Sequence, residues 1–174
     1  DYAHTPDQLE KVYKTLSRIS NSQYPIPNKI SNSEFQISNL ICVLGSCGGG
    51  RDKWKRPVLG EVASRYCREV IITNEDPYNE NPNQILSEIK SGISNFQYLP
   101  TKSRILDKIG TISNFYEILD RKKAIEKAIQ LAKKGDVMVI TGKGSEPWMC
   151  VENGKKIPWD DREIARKLLK PRNY

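Results

Sequence analysis

The sequence predicts an α/β fold: a three-layer, Rossmann-like sheet, mostly parallel, with helices on both faces. Three observations predict it. Continuous apolar runs such as Leu40-Ile41-Cys42-Val43-Leu44 and Val137-Met138-Val139-Ile140 have the length and composition of buried strands. Segments with helical spacing of apolar residues alternate with these runs, the pattern of strand and helix units that cover both sides of one sheet. Glycine-bearing segments then follow two of the runs directly, Gly45 to Gly50 and Gly142 to Gly144, and in such sheets ligands sit beyond the carboxyl ends of the strands.

Taken in order, a first helix is expected over 6–16, with Thr5 as its cap. Residues 17–39, rich in Ser, Asn and Pro, read as a long surface loop. Strand 40–44 leads through the first glycine loop into helix 57–67, where Pro57 suits the first turn and Val58, Leu59, Val62, Ala63 and Tyr66 form the apolar face. Strand 69–73, helix 82–91 and strand 115–119 follow, with 92–113 irregular apart from a short helix near 103–109. Asp120 caps a helix over 121–133, whose apolar face of Ile125, Ala128, Ile129 and Ala132 lies opposite Lys122, Lys123 and Lys127. Strand 136–141 and a last helix 161–169, capped by Asp160, complete the chain.

Length and composition set limits. A chain of 174 residues holds one sizeable core and is too short for three domains, so a single domain over 1–174 is expected. No apolar run approaches the roughly 20 residues of a membrane helix, and no signal-peptide pattern occurs, so no membrane partner is expected. The net charge of +7 raises nucleic-acid binding, but the cations are dispersed and no binding-module pattern is present, so no nucleic acid is expected. The four cysteines, Cys42, Cys47, Cys67 and Cys150, show no C-x-x-C spacing and read as reduced thiols of a cytoplasmic protein. A single histidine, His4, leaves few ligands for zinc, and no metal site is expected. Trp54, Trp148 and Trp159 read as packing residues at loop bases, with Trp54, beside Arg51 and the Lys55-Arg56 pair, also placed to stack on a ligand or a neighbouring domain.

The strand ends carry the chemistry. Glycines in Gly45 to Gly50 allow close backbone approach, and Arg51 offers a planar fork matched to a carboxylate or phosphate. The spacing is neither that of a Walker A loop nor of a dinucleotide fingerprint. Strand 69–73 runs into Asn74-Glu75-Asp76-Pro77-Tyr78, and the second glycine loop ends at Glu146. The edge therefore joins a cation, Arg51, to the carboxylates Glu75, Asp76 and Glu146, a combination suited to a zwitterion such as an amino acid.

Four motifs now fall into a known order. Asp1-Tyr2-Ala3-His4-Thr5-Pro6-Asp7, the G-G-x-R-D-x-x-K-R-P block at Gly48 to Pro57, Gly142-Lys143-Gly144-x-Glu146, and Asp160-Asp161-Arg162-Glu163 together resemble the C-terminal domain of Mur ligases, nearest in pattern to the MurE type. They span nearly the whole chain. The resemblance implies part of a cytoplasmic, ATP-dependent enzyme of peptidoglycan synthesis. Such enzymes activate the terminal carboxylate of UDP-MurNAc-L-Ala-D-Glu as an acyl phosphate and join it to the amine of a third amino acid. It also implies two further domains not contained in this chain, an N-terminal one for the UDP-sugar and a central one that binds ATP and Mg. No G-K-[ST] sequence occurs here, and the isolated domain is expected to be inactive.

Carried over by position, the resemblance makes Arg51 the partner of a carboxylate of the incoming amino acid, and gives its distal amine to Gly142 and Glu146. Asp1, Tyr2 and His4 fall at the seam with the ATP-binding domain. Where diaminopimelate-adding enzymes have D-N-P-R, this chain has Glu75, Asp76, Pro77 and Tyr78, so the arginine for diaminopimelate's second carboxylate is replaced by a phenol. Lysine or another diamine is the expected substrate. Two further departures are Gly50 for the usual aspartate before Arg51 and Ser145 for the common histidine. The alternative is a stand-alone, non-catalytic ligand-binding module with the same fold, separable by whether the gene continues upstream with a G-T-N-G-K-T-type loop.

Overall fold

The computed structural model describes residues 1–21, 39–97 and 112–169. Helix α1 (Pro6–Asn21) precedes β1 (Leu40–Leu44), α2 (Lys55–Tyr66), β2 (Glu69–Ile72), α3 (Pro82–Gln97), β3 (Asn114–Glu117), α4 (Arg121–Leu131) and β4 (Val137–Ile140). A short hairpin of β5 (Trp148–Cys150) and β6 (Lys156–Pro158), joined by a 3₁₀ turn at Glu152–Gly154, leads into α5 (Asp161–Leu169).

The four main strands form one sheet in the order β3-β2-β1-β4, and each neighbouring pair is parallel. All five residues of β1 are buried, as a central parallel strand covered on both faces requires. Alternation along the strand divides the core. Leu40, Cys42 and Leu44 face α1, α2 and α3 through Leu9, Tyr13, Leu59, Val62, Ile85 and Ile89, whereas Ile41 and Val43 face α4 and α5 through Ala124, Ile125, Ala128 and Ile164. Three layers result. The chain grows outward from β1 through β2 to β3, then returns past them to place β4 on the other side of β1. The direction of winding therefore reverses between β1 and β4, which opens a crevice at their carboxyl ends.

The expected caps form. Thr5 Oγ1 accepts from the Gln8 amide at 3.4 Å, Asp120 Oδ1 from Lys123 at 3.0 Å, and Asp160 Oδ1 from Arg162 at 2.8 Å.

Several boundaries differ from the sequence expectation. Helix α1 continues to Asn21, so the expected loop 17–39 begins as helix, and its remainder lies outside the described residues. Helix α3 runs through Gly92, not ending at 91. The reason is close packing: a Cβ on Gly92 would stand 1.8 Å from the Pro57 carbonyl oxygen, and one on Gly60 2.1 Å from that of Ile89, so α2 and α3 meet backbone to backbone. The short helix expected near 103–109 lies outside the described residues. The β5–β6 hairpin was not expected. Trp54 and Trp148 are exposed, not packed, Trp148 lying under the Lys156 ammonium at 4.5 Å, while Trp159 is held through its indole N–H. All four cysteines are free thiols, and among the described residues no helix is long and apolar enough to cross a membrane.

Candidate functional site

Three loops meet at the carboxyl edge of the sheet. The glycine loop after β1 lies directly against the loop after β2. Gly48 donates its amide to the Asp76 carbonyl at 2.7 Å, and a Cβ at Gly48 would stand 2.2 Å from the Pro77 carbonyl oxygen. Gly49, at φ +69°, touches the Tyr78 ring. Only a chain without side chains at these positions approaches so closely. Arg56 braces the loop from below: fully buried, it donates to the Cys47 carbonyl at 3.1 Å, to Glu80 at 3.0 Å and to Glu88 at 2.6 Å. Glu80 in turn accepts the Gly50 amide at 3.1 Å. Arg51, by contrast, is exposed and has no hydrogen bond or ion pair among the described residues. The loop thus spends one arginine on its own structure and presents another.

The loops after β2 and β4 are joined by a buried ionic cluster. Lys143 Nζ donates to both Asp76 oxygens at 2.8 Å and to Glu146 Oε2 at 2.6 Å, and Asp76 Oδ1 also accepts the Cys150 amide at 2.8 Å. Burial opposes the Lys143 charge, but the hydrogen bonds to Asp76 and Glu146 outweigh it and hold the ammonium's pKa above the ordinary 10.5. Three carboxylate oxygens surround the ammonium within 2.8 Å. Asp76 is buried, while Glu146 is partly exposed.

Glu75 sits on the floor between the two glycine loops. It accepts the Cys47 thiol at 3.0 Å through Oε1, while Oε2 is buried without a partner. Burial pushes its carboxyl above the ordinary 4.5, against the pull of Arg121. The Cys47 thiol is pushed far up, by burial and then by Glu75, and is a poor nucleophile. Gly142, at φ +103°, covers Glu75 so closely that a Cβ there would stand 2.1 Å from Oε2.

The N-terminal segment lies across the third loop. A Cβ on Gly144 would stand 2.9 Å from Tyr2 Cβ, and the Tyr2 and His4 rings lie 4.8 Å apart, with His4 Nδ1 2.9 Å from the Tyr2 carbonyl oxygen. Asp1 folds back to accept the Ala3 amide at 2.7 Å. Both signs of charge act on the exposed Tyr2 hydroxyl: Glu146 raises its pKa and Arg51 lowers it, with Glu146 the stronger. Tyr78, in the left-handed region at φ +51°, donates its amide to the Cys150 carbonyl at 3.2 Å, and its hydroxyl is pushed up to about 12, chiefly by a hydrogen bond with the Cys150 thiol.

The structure therefore brings Asp76 and Glu146 together on Lys143, sets Glu75 against Gly142 and Tyr2 against Gly144, and leaves Arg51 exposed on the loop after β1. Sequence reasoning missed the organising roles of Lys143, Arg56 and Arg121. Arg121 bears a signal that was readable: with Lys122 and Lys123 it puts three cations and no acid in the first turn of α4, where the helix dipole disfavours them. Lys143 is engaged by Asp76 and Glu146, and the residue after it is Gly144 and not Ser or Thr, so this loop lacks the Lys-Ser/Thr pair of a Walker A loop.

The switch point of this parallel sheet thus carries a glycine loop, an arginine with no hydrogen bond or ion pair among the described residues, and a lysine-bridged pair of acids. The chain matches the family described as Mur ligase, glutamate ligase domain, over residues 1–144, and it belongs to that family. Among its relatives are the UDP-N-acetylmuramoyl-L-alanyl-D-glutamate--2,6-diaminopimelate ligases of Nitrosomonas europaea, 42% identical over 169 residues, and of Cytophaga hutchinsonii, 38% identical over 169 residues. Each alignment covers 97% of this chain and 28% of the relative. A solved structure of a UDP-N-acetylmuramoyl-L-alanyl-D-glutamate--2,6-diaminopimelate ligase superposes with a TM-score of 0.68 at 33% identity, over 97% of this chain and 28% of that one. The chain thus spans little more than a quarter of the length of these relatives.

Proposed function

We propose that this domain presents the incoming amino acid in a cytoplasmic ATP-dependent ligase that joins it to UDP-MurNAc-L-Ala-D-Glu. Arg51 grips a carboxylate of that amino acid. Glu146, with Gly142 beside it, takes the distal ammonium. ATP and Mg are held by a central domain, with Asp1, Tyr2 and His4 at the seam. The observation that carries the reading is that an exposed arginine on the loop after β1 and a partly exposed carboxylate, Glu146, on the loop after β4 stand at the same carboxyl edge of the sheet, so a zwitterion lying along that edge has a partner of each sign. The domain contributes binding and orientation, which convert an encounter between amine and activated carboxyl into a positioned attack.

For the amino acid itself we propose lysine or another diamine with one carboxylate. Tyr78 offers no cation where diaminopimelate-adding enzymes have arginine, and the buried ammonium of Lys143 is engaged by Asp76 and Glu146. A second carboxylate would enter among acids unpaired, at a cost of several kcal/mol. The names of the relatives favour the second reading, 2,6-diaminopimelate.

The test is release of ADP by the full-length ligase with UDP-MurNAc-L-Ala-D-Glu, ATP and Mg. Release that requires an added diamino acid and yields a product heavier by that amino acid is expected, and the 174-residue chain alone should release none. Amino-acid-independent turnover by the full-length ligase would overturn the proposal.

A further inference from the structure

Arg121 and Asp161 lie outside the proposed contacts, yet the pair holds the two acid-bearing loops together. Arg121 is buried at the first position of α4. Its Nε and one terminal nitrogen donate to the two oxygens of Asp161 at 2.9 and 2.7 Å, a bidentate pair. The same terminal nitrogen donates to the Thr141 carbonyl at 2.9 Å, and the other to the Asn74 carbonyl at 3.2 Å. Thr141 immediately precedes Gly142, and Asn74 immediately precedes Glu75. One guanidinium therefore fixes the carboxyl ends of β2 and β4, strands that are not neighbours but flank β1. Asp161, also buried, accepts the Trp159 indole N–H at 2.9 Å, which ties in the segment after the β5–β6 hairpin.

We infer that Arg121 and Asp161 are positioning residues for the amino-acid pocket, setting the spacing between the Glu75-Asp76 loop and the Gly142-to-Glu146 loop. The geometry favours this over a purely structural pair. A pair serving only the fold would join α4 to α5, and the bidentate bond to Asp161 achieves that by itself. The two remaining bonds go to carbonyls that neighbour the site, and no lysine can reproduce them, since a single ammonium cannot span a bidentate carboxylate and two carbonyls on separate strands. The inference rests on the proposed role of the domain in amino-acid binding.

The experiment is steady-state kinetics of the full-length ligase carrying Arg121→Lys or Asp161→Asn, with KM for the amino acid and for ATP measured separately and folding checked by thermal melting. Folded variants with amino-acid KM raised tenfold or more, and ATP KM within twofold of the parent, are expected. Should Arg121→Lys fail to fold, Asp161→Asn, which keeps the shape and one acceptor, decides the matter. An unchanged amino-acid KM in a folded variant, or equal rises in both KM values, would overturn the inference. Failure of the underlying reading looks different, since the unmodified ligase would then show no dependence on amino acid at all.

Discussion

The ammonium of Lys143 lies 2.8 Å from each oxygen of Asp76, two residues 67 positions apart whose loops meet across the carboxyl end of β1, which their strands flank. Both are buried, so neither can fall back on water. Removing one partner leaves an uncompensated charge, and such losses cost about 3–5 kcal/mol. Lys143→Met should lower stability by that amount in denaturant titration. The double variant Lys143→Met/Asp76→Asn should recover part of it. Unchanged stability in the single variant would show that the pair is not formed.

Gly142 and Gly50 separate two costs of adding a side chain. Both have positive φ, but Gly50 has open space around its missing Cβ, whereas Gly142 is blocked by the Glu75 carboxylate. Gly50→Ala should cost about 1 kcal/mol, the backbone penalty alone. Gly142→Ala should cost at least 2 kcal/mol more, from overpacking against Glu75. Equal losses in urea titration would count against the close approach.

Glu75 makes stability depend on pH with a definite sign. Burial raises its folded-state pKa above the ordinary 4.5, with Cys47, Asp76, Lys143 and Arg121 around it. A carboxyl that binds its proton more tightly when folded contributes stability that is complete below about pH 4.5 and is lost as pH rises through the raised pKa. Glu75→Gln should remove this dependence and melt higher than the parent at neutral pH. A difference between the two proteins that does not grow from pH 4 to 7 would contradict it.

Arg51 should matter to substrate and not to folding. Exposed and without a hydrogen bond or ion pair among the described residues, it should tolerate Arg51→Ala with a change in stability of less than about 0.5 kcal/mol. In the full-length ligase the same change should raise the amino-acid KM about ten- to hundredfold, the worth of a charge-assisted pair of roughly 1.5–3 kcal/mol, and Arg51→Lys should recover part. A large loss of stability with unchanged KM would reassign the residue.

Much of this fold is legible in the sequence because its central strands are buried on both faces. Leu40–Leu44 and Val137–Ile140 are uninterrupted apolar runs, and the glycine loops that follow them mark the edge where the site lies. What was not legible depends on tertiary contact. Gly92 looks like a helix end until Pro57 of α2 is seen against it. The strands β5 and β6 are three residues each, too short to show a period. The burial of Arg56, Arg121 and Lys143 is not legible either, since sequence does not distinguish a solvated cation from one whose carboxylate partner is dozens of residues away. The candidate site residues stand out by the chemistry of their types, and the residues that support them do not.

Selectivity among diamino acids bears most directly on the proposed pocket. Tyr78 provides no cation, and Lys143 is committed to Asp76 and Glu146, so a second carboxylate on the substrate lacks a partner there. The measurement is kcat/KM of the full-length ligase for lysine, ornithine and meso-diaminopimelate in direct competition, repeated with Tyr78→Arg. Lysine or ornithine should be preferred by about 2 kcal/mol, roughly thirtyfold, and Tyr78→Arg should narrow that gap. A preference for meso-diaminopimelate in the unmodified ligase would contradict the pocket as drawn.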